Sequence, residues 1–242
     1  MKRGRGRNVS RETFRGPSPT DTLDFAHKVQ QQLQKILESK AFPLDGHFYS
    51  RIDRFTNNLL TWGARTNLTA RHDDPAEVAF HVADSLAPLF LMKQDRHLSE
   101  AFGDRRRLLD VGSGAGFPGL ILAAATELHV TLLESRRRRA SFLAACAHDL
   151  DLEDVAIMHR SDLLKESCGI FDTVSSRAVG ETSLELAERA LRPGGIAVYW
   201  LSEEQPIPEL NGGLGLLASV GYQLKSDRHA KPLKLAIFQK PA

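Results

Sequence analysis

Cysteine and long apolar runs are scarce in this chain of 242 residues. Its two cysteines, Cys146 and Cys168, fit no metal or redox motif. No run of about 18 apolar residues exists, so we expect no membrane-spanning segment. The first residues are basic but include no apolar stretch of the kind found in secretory signals. Together these absences predict a protein of the reducing cytoplasm, without a membrane anchor and without a metal site.

The charged residues are unevenly distributed along the chain. The formal net charge is +2, yet residues 1–16 carry six basic side chains and one acidic one. Two further arginine clusters lie at 105–107 and 136–139, and the second is expected to open a helix, where the helix dipole disfavours cations. Such clusters are typical either of a solvated surface or of a surface that contacts nucleic-acid phosphates. The sequence leaves both interpretations open.

Three segments of the chain differ in hydrophobic pattern. Residues 1–19 are rich in Arg, Gly, Ser and Pro and have no apolar periodicity, which predicts a disordered basic arm. Residues 20–104 contain three apolar stripes at helical spacing, the third running from Val78 to Leu89, and predict a helical subdomain. Residues 105–242 alternate short apolar runs with helical patterns. This alternation predicts an α/β domain, a parallel sheet with helices on both faces.

The elements of the α/β domain can be predicted individually. Strands are expected at 108–111, 130–134, 155–158, 171–175 and 196–200. Helices are expected at 120–125, 136–150, 181–191 and 207–220, the third ended by Arg192-Pro-Gly-Gly195. Two last apolar segments, 222–224 and 233–238, predict an antiparallel hairpin that closes one edge of the sheet.

A glycine-rich loop follows the first strand, in the segment Asp110-Val-Gly-Ser-Gly-Ala-Gly-Phe-Pro-Gly119. A strand–loop–helix unit of this kind presents backbone N–H groups at the edge of the sheet where such folds bind ligands. Gly114, Gly116 and Gly119 also satisfy the dinucleotide pattern G-x-G-x-x-G, so a nicotinamide or flavin cofactor stays open. Asp110 favours a methyl donor instead, because a carboxylate suits the cationic sulfonium of S-adenosylmethionine better than a pyrophosphate.

Two further acids follow the next strands. Glu134 ends the second strand, where a carboxylate accepts from both ribose hydroxyls, although dinucleotide enzymes share this feature. Asp162 follows the third strand and is placed to accept from an adenine amino group. With the glycine loop, these acids predict a Rossmann-like class I S-adenosylmethionine-dependent methyltransferase sheet behind an amino-terminal helical subdomain.

Several motifs occur in the order of a known family. They are Trp62, Asn67-Leu-Thr-Ala70, His81-Val-Ala-Asp84-Ser-Leu86, the glycine loop, Glu134-Ser135, Phe142-Leu143, Arg160-Ser-Asp162 and Ser176-Arg-Ala178. Over residues 25–200 the chain resembles the glucose-inhibited division protein B family, the bacterial small-subunit rRNA guanine-N7 methyltransferases G. The resemblance implies methyl transfer from S-adenosylmethionine to N7 of one guanine in the 530-loop of 16S rRNA, position 527 in the standard 16S numbering. It also implies that Gly112, Phe117, Ser161, Asp162 and Arg177 line the cofactor site, to which the loop and strand positions add Gly114 and Glu134.

The chemistry of a ring nitrogen agrees with the residues after the fourth strand. Guanine N7 has a lone pair and no proton to lose, so its methylation needs positioning more than a general base. Ser175-Ser-Arg-Ala178 stands where exocyclic-amine methylases carry an Asn/Asp-Pro-Pro-aromatic segment, and no cysteine nucleophile follows the strand. Arg177, His81 and Asp84 are the candidates for catalytic roles. Arg177 can bind the cofactor carboxylate, a guanine edge or only a salt-bridge partner; His81 and Asp84 share a helix face, and core or capping roles fit them equally.

One departure from the family pattern leaves alternatives open. The family usually has a Lys-Gly pair after the fifth strand, where this chain has Leu201-Ser202 beside Trp200, a residue for either base stacking or the core. The alternatives are an S-adenosylmethionine-dependent enzyme acting on another RNA, a protein or a small molecule, and a non-catalytic ribosome-binding protein that keeps the cofactor pocket. We expect a monomer that contacts the small ribosomal subunit.

Overall fold

The computed structural model of the chain describes residues 17–38, 40, 42, 44–63, 65–159, 169–177, 181–208, 213–226 and 232–242. The expected basic arm, up to residue 16, lies outside the described residues. So do the predicted site residues Ser161 and Asp162, as well as Cys168.

Five helices precede the sheet: α1 (Pro19–Glu38), α2 (Gly46–Gly63), α3 (Pro75–Ser85), α4 (Ala87–Leu91) and α5 (Arg96–Ala101). The first two follow the amphipathic stripes of the sequence, since their buried residues recur at helical spacing. The Asp74 side chain caps α3 by accepting from the Ala76 N–H, and Pro75 occupies the first turn, where no N–H is needed. The third predicted stripe, expected to reach Leu89, is divided at Leu86 between α3 and α4.

The other described residues form a seven-stranded sheet and three further helices. In chain order they are β1 (Arg107–Val111), α6 (Gly119–Ala125), β2 (His129–Leu133), α7 (Arg137–Asp149), β3 (Val155–Met158), β4 (Phe171–Ser176), α8 (Glu181–Ala190), β5 (Leu191–Ser202), β6 (Gly215–Tyr222) and β7 (Leu233–Gln239). The strand order is β3-β2-β1-β4-β5-β7-β6. Strands β1 to β5 pair in parallel, and β7 runs antiparallel between β5 and β6. The predicted α/β class is therefore confirmed. An antiparallel pair closes one edge of the sheet as predicted, but its first strand is β6 at 215–222 and not the expected segment 222–224.

Two predicted boundaries are wrong. The helix expected at 207–220 is contradicted, because residues 215–222 form β6 at the sheet edge, where their backbone pairs with β7. Strand β5, expected at 196–200, extends from Leu191 to Ser202. Pro193 and Gly194 lie in this strand at a register shift against β4, with Gly194 at φ +72°. Leu201 and Ser202 consequently lie within β5 and do not follow it.

The helices of the amino-terminal part and the sheet share one hydrophobic cluster. It includes residues of α1, α2 and α3 together with one face of the sheet, and a second, smaller cluster lies on the face that packs against α8. The Arg51 guanidinium of α2 donates to the carbonyls of Ala124 and Leu150, at the ends of α6 and α7. Phe55 of α2 packs edge-to-face on Phe117, with ring centroids 5.4 Å apart. The helical layer is thereby fixed next to the glycine loop.

Candidate functional site

The glycine loop lies at the carboxyl end of β1 and opens outward. Gly112, Gly114 and Gly116 have φ values of +77°, +54° and +91°, a backbone conformation that other residues adopt at a cost. A Cβ built on Gly112 meets no atom within 4 Å, so the space in front of it is free. Gly112 is exposed, so a ligand can approach the backbone of the loop closely at this position.

Asp110 holds this loop from inside. Its side chain is fully buried, and its two carboxylate oxygens accept from the Ser175 hydroxyl at 2.8 Å and the Gly119 N–H at 3.2 Å. Burial raises the pKa of this carboxyl above its usual value, although the hydrogen bonds act in the opposite direction. The expectation that Asp110 offers its charge to a cationic ligand is not supported, because the carboxylate is fully buried within the protein. Its function is to fix the loop and the first turn of α6.

Glu134 follows β2 and lies beside the glycine loop, as its position in the sequence predicts. The side chain is 5% exposed, and its two oxygens accept from the Gly114 N–H at 3.0 Å and from the Arg136 N–H at 2.7 Å. A carboxylate oxygen has two lone pairs, so each still has capacity for a further donor. Glu134 can therefore orient the loop and accept from ribose hydroxyls at the same time.

The end of the loop meets three side chains from distant parts of the chain. The Phe117 ring lies 5.3 Å from the His81 ring of α3 and 5.7 Å from the guanidinium carbon of Arg177. Arg177 donates to Nδ1 of His81 at 3.3 Å, and since a guanidinium can only donate, this ring nitrogen is the acceptor. An Asp84 oxygen lies 2.9 Å from the Arg177 Nη2. The three candidate catalytic residues thus form one cluster against Phe117.

The Arg177 guanidinium is held by α3 on one side. Its Nη2 donates to the His81 carbonyl at 3.1 Å and the Ser85 hydroxyl at 2.9 Å, in addition to the ion pair with Asp84. The Nε atom is buried and has no hydrogen-bond partner among the residues that the structure describes. A buried donor without a partner is costly and is usually explained by an absent ligand or water. Arg177 therefore makes the predicted salt bridge and also keeps one donor available to a ligand.

Asp84 connects this cluster to the far half of the sheet. Its second carboxylate oxygen accepts from the Tyr222 hydroxyl of β6, and its backbone carbonyl accepts from the Trp200 indole N–H of β5 at 2.8 Å. Trp200 is 5% exposed, so it belongs to the core and does not offer a stacking face. Tyr222 was not predicted as a site residue, because nothing in the local pattern links it to a side chain 138 positions earlier.

The arginine cluster at the start of α7 borders the glycine loop. Arg139 donates to the Asn67 carbonyl at 2.7 Å, and its Nη1 lies 3.7 Å from the Cβ position of Gly114. Arg136, Arg137 and Arg138 are exposed. The helix dipole does not favour cations at this end, so the cluster is not explained by the stability of α7.

The described residues fit S-adenosylmethionine in three respects. The space in front of Gly112 is open, the Glu134 carboxylate lies at the loop, and Arg177 has an unpaired buried donor. In the described part of the chain, no three His, Cys, Asp or Glu residues are grouped as a metal site would require. Within the same residues, no helix is long and apolar enough to cross a membrane.

Comparisons with solved structures identify the fold. A structure assigned as an O-methyltransferase of Klebsiella pneumoniae covers 89% of this chain and 100% of its own, with a TM-score of 0.53 at 16% identity. The SpnF cyclase covers 78% of this chain and 93% of its own, with a TM-score of 0.53 at 15% identity. Likeness at such identities shows the fold alone, and it confirms the predicted Rossmann-like class I methyltransferase sheet.

Sequence comparisons are more specific. A model of the GidB family, described as rRNA small subunit methyltransferase G, matches residues 49–211. The ribosomal RNA small subunit methyltransferase G of Anaeromyxobacter sp. (strain Fw109-5) is 34% identical over 212 residues, which cover 83% of this chain and 94% of that protein. The protein of the same name from Geobacillus thermodenitrificans is 32% identical over 198 residues, covering 78% and 79%. The resemblance inferred from the motifs is confirmed, and the chain belongs to the rRNA small subunit methyltransferase G family.

Proposed function

We propose that this chain transfers a methyl group from S-adenosylmethionine to N7 of a guanine in the 530-loop of 16S rRNA. The proposal rests on the glycine loop of this chain, which is open at Gly112. The Phe117–Arg177 cluster borders the loop on one side, and exposed arginines border it on the other. Such an arrangement offers a cofactor surface and a cationic surface side by side, as methylation of a nucleic acid requires.

Bound S-adenosylmethionine supplies an electrophilic methyl group, and the residues of this chain bind and orient the two reactants. Gly112, Gly114, Phe117 and Glu134 would hold the cofactor, with Glu134 accepting from its ribose hydroxyls. Ser161 and Asp162, which lie outside the described residues, complete the proposed set on the strength of the family motif. The guanidinium of Arg177 would donate through Nε to the cofactor carboxylate or to an acceptor edge of the guanine.

The target nitrogen sets what the protein must do. Since N7 has no proton to lose, no residue is needed to remove one, and catalysis depends on alignment of the lone pair with the methyl group. His81 and Asp84 contribute by holding Arg177, through Nδ1 and the carboxylate respectively. We assign both as residues of the active-site mouth that position Arg177, not as an acid and a base.

The arginines at the start of α7 are the proposed contact with rRNA phosphates. Arg136, Arg137 and Arg138 are exposed next to the loop, and clustered arginines bind phosphates with release of counterions. The basic arm at 1–19 would add a nonspecific contact. Its removal is expected to flatten the salt dependence of RNA binding, and an unchanged slope would remove the arm from the proposal. We propose further that the enzyme is cytoplasmic, because its rRNA substrate lies there, and that it acts as a monomer.

Methyl transfer from radiolabelled S-adenosylmethionine to small subunits that lack the 530-loop modification tests the proposal, with the site mapped by borohydride–aniline cleavage. Label and cleavage at one guanine of the 530-loop are expected from the wild type. Arg177→Ala should lose most of the label. The control is Arg192→Ala, which should keep it, because Arg192 lies away from the cluster and forms an ion pair with Asp172 at a distance of 2.7 Å. Cofactor binding without any label would reject this substrate and favour a non-catalytic ribosome-binding protein. Label would also show that Leu201-Ser202 can replace the family's Lys-Gly pair.

A further inference from the structure

Arg177 directly follows β4, and its orientation in this cluster depends on α3. Three of its contacts, the carbonyl and ring of His81 and the hydroxyl of Ser85, are uncharged. Among the described residues, the charged group in direct contact with it is the Asp84 carboxylate, which forms an ion pair 2.9 Å from Nη2. Attraction between opposite charges is stronger when they are shielded from water, so Asp84 is an important determinant of where the guanidinium lies.

Asp84 is in turn fixed by residues outside the recognised motifs. It is 7% exposed, and the Tyr222 hydroxyl donates to the carboxylate oxygen that Arg177 does not use. Trp200 fixes the backbone of the same residue at 2.8 Å. The Tyr222 ring is itself held in the core, 8% exposed and packed edge-to-face on Phe90 with centroids 6.1 Å apart. The packing of the ring therefore fixes the position from which the hydroxyl donates to Asp84.

We propose that Tyr222 is a positioning residue for methyl transfer, acting through Asp84 on the guanidinium of Arg177. The inference rests on the proposed role of Arg177. Without the hydroxyl, one oxygen of a buried carboxylate has no donor, and Asp84 can rotate towards its remaining partner. The Arg177 guanidinium is then no longer held in one orientation, although the tyrosine oxygen is the only atom removed from the cluster. Alignment of the reactants depends on that geometry.

Tyr222→Phe removes the oxygen alone and keeps the ring in its core position. The control is Tyr199→Phe, which also removes a buried tyrosine hydroxyl, one whose partner is the Ser183 carbonyl on the other face of the sheet. The first readout needs neither cofactor nor rRNA: the Nε–H resonance of Arg177 in a ¹⁵N–¹H spectrum, assigned by its absence in Arg177→Lys. It should shift or broaden in Tyr222→Phe and stay unchanged in Tyr199→Phe. An unchanged resonance in Tyr222→Phe would overturn the proposal, whatever the enzyme methylates.

The second readout is a double-mutant cycle on turnover. Loss of a hydrogen bond to a charged group corresponds to a change of about tenfold, so we expect Tyr222→Phe to lower kcat about tenfold with little change in the KM for subunits. In the Arg177→Ala background the same substitution should lower kcat no further. Equal losses in both backgrounds would show a merely structural role and overturn the proposal. An inactive wild type would instead refute the proposed substrate, and the Arg177 resonance would still decide the role of Tyr222.

Discussion

Asp110 provides the most direct test of how the glycine loop is held. Asp110→Ala leaves the Gly119 N–H and the Ser175 hydroxyl without their acceptor in a fully buried site. An unpaired buried donor costs about 1–3 kcal/mol, so the free energy of unfolding should fall by about 2–6 kcal/mol, towards the lower end because the buried charge disappears as well. For a chain of this length each kcal/mol lowers the Tm by about 2–4 °C. Urea unfolding followed by far-UV circular dichroism measures the loss.

Asp110→Asn separates hydrogen bonding from charge. The amide oxygen can accept from Gly119 and the amide N–H can donate to the Ser175 oxygen, so this variant should lose no more than about 1 kcal/mol at neutral pH. If Asp110→Asn were as unstable as Asp110→Ala, hydrogen-bond replacement would not describe the site. The S-adenosylmethionine affinity should fall in Asp110→Ala, because the loop is no longer fixed, and should change little in Asp110→Asn.

The difference in stability between the wild type and Asp110→Asn should depend on pH in a defined direction. Burial raises the pKa of Asp110 above its ordinary value, so the folded protein binds this proton more tightly than the unfolded chain does. Acidification from about pH 8 to about pH 4.5 should therefore stabilise the wild type relative to Asp110→Asn. A difference that is constant or shrinks over this range would refute the assignment.

Asp172 supplies a control of opposite sign. Burial acts to raise the pKa of this carboxyl, but donors from Arg107, Arg192 and Arg106 together lower it below 3.8. The advantage of the wild type over Asp172→Asn should accordingly stay flat down to about pH 5 and decrease only below that.

Three further predictions concern the loop and its border. Gly119→Ala should lower the free energy of unfolding by about 1–3 kcal/mol, because its Cβ would lie 2.6 Å from Asp110 and from Leu132. Gly46→Ala should not destabilise the protein, because a Cβ at that position meets no atom within 4 Å, and thermal unfolding compares the two variants. Glu134→Gln should weaken S-adenosylmethionine binding, measured by calorimetry, since it replaces a charged acceptor by a neutral one, and an unchanged affinity would remove Glu134 from the cofactor site. Replacing the exposed Arg137 and Arg138 by alanine should reduce the slope of log K for RNA binding against log salt concentration by about 2 and leave cofactor affinity unchanged. An unchanged slope would assign these arginines to a solvated surface.

The sequence predicted most of the fold because hydrophobic period alone determines which side of a segment is buried. Helices α1 and α2 and strands β1 to β4 follow their patterns to within a few residues. Strand β6 does not, because an edge strand is defined by its pairing with β7, and its two glycines interrupt the side-chain pattern. The bulged start of β5 has a similar origin, since Pro193 and Gly194 are normally signals that a strand has not yet begun.

The site was predictable where a residue's role follows from its place at a strand end. Glu134 lies beside the loop for this reason, and Arg177 after β4 meets Phe117. The direction of a single side chain is not fixed by such a rule, and Asp110 faces inward where an outward carboxylate was expected. Contacts such as Tyr222 with Asp84 depend on packing between elements far apart in sequence, which no local pattern records.

The hydrophobic cluster shared by the helical layer and the sheet has a consequence for folding. A unit with its own core can melt or be removed separately, but α1, α2 and α3 complete the core of the sheet, and Arg51 ties α2 to the carbonyl ends of α6 and α7. Loss of the helices would expose to water the apolar surfaces of α6 and α7 that pack against α2 and α3. The chain is therefore expected to unfold in a single cooperative transition, in which the glycine loop and the amino-terminal helices lose their structure together.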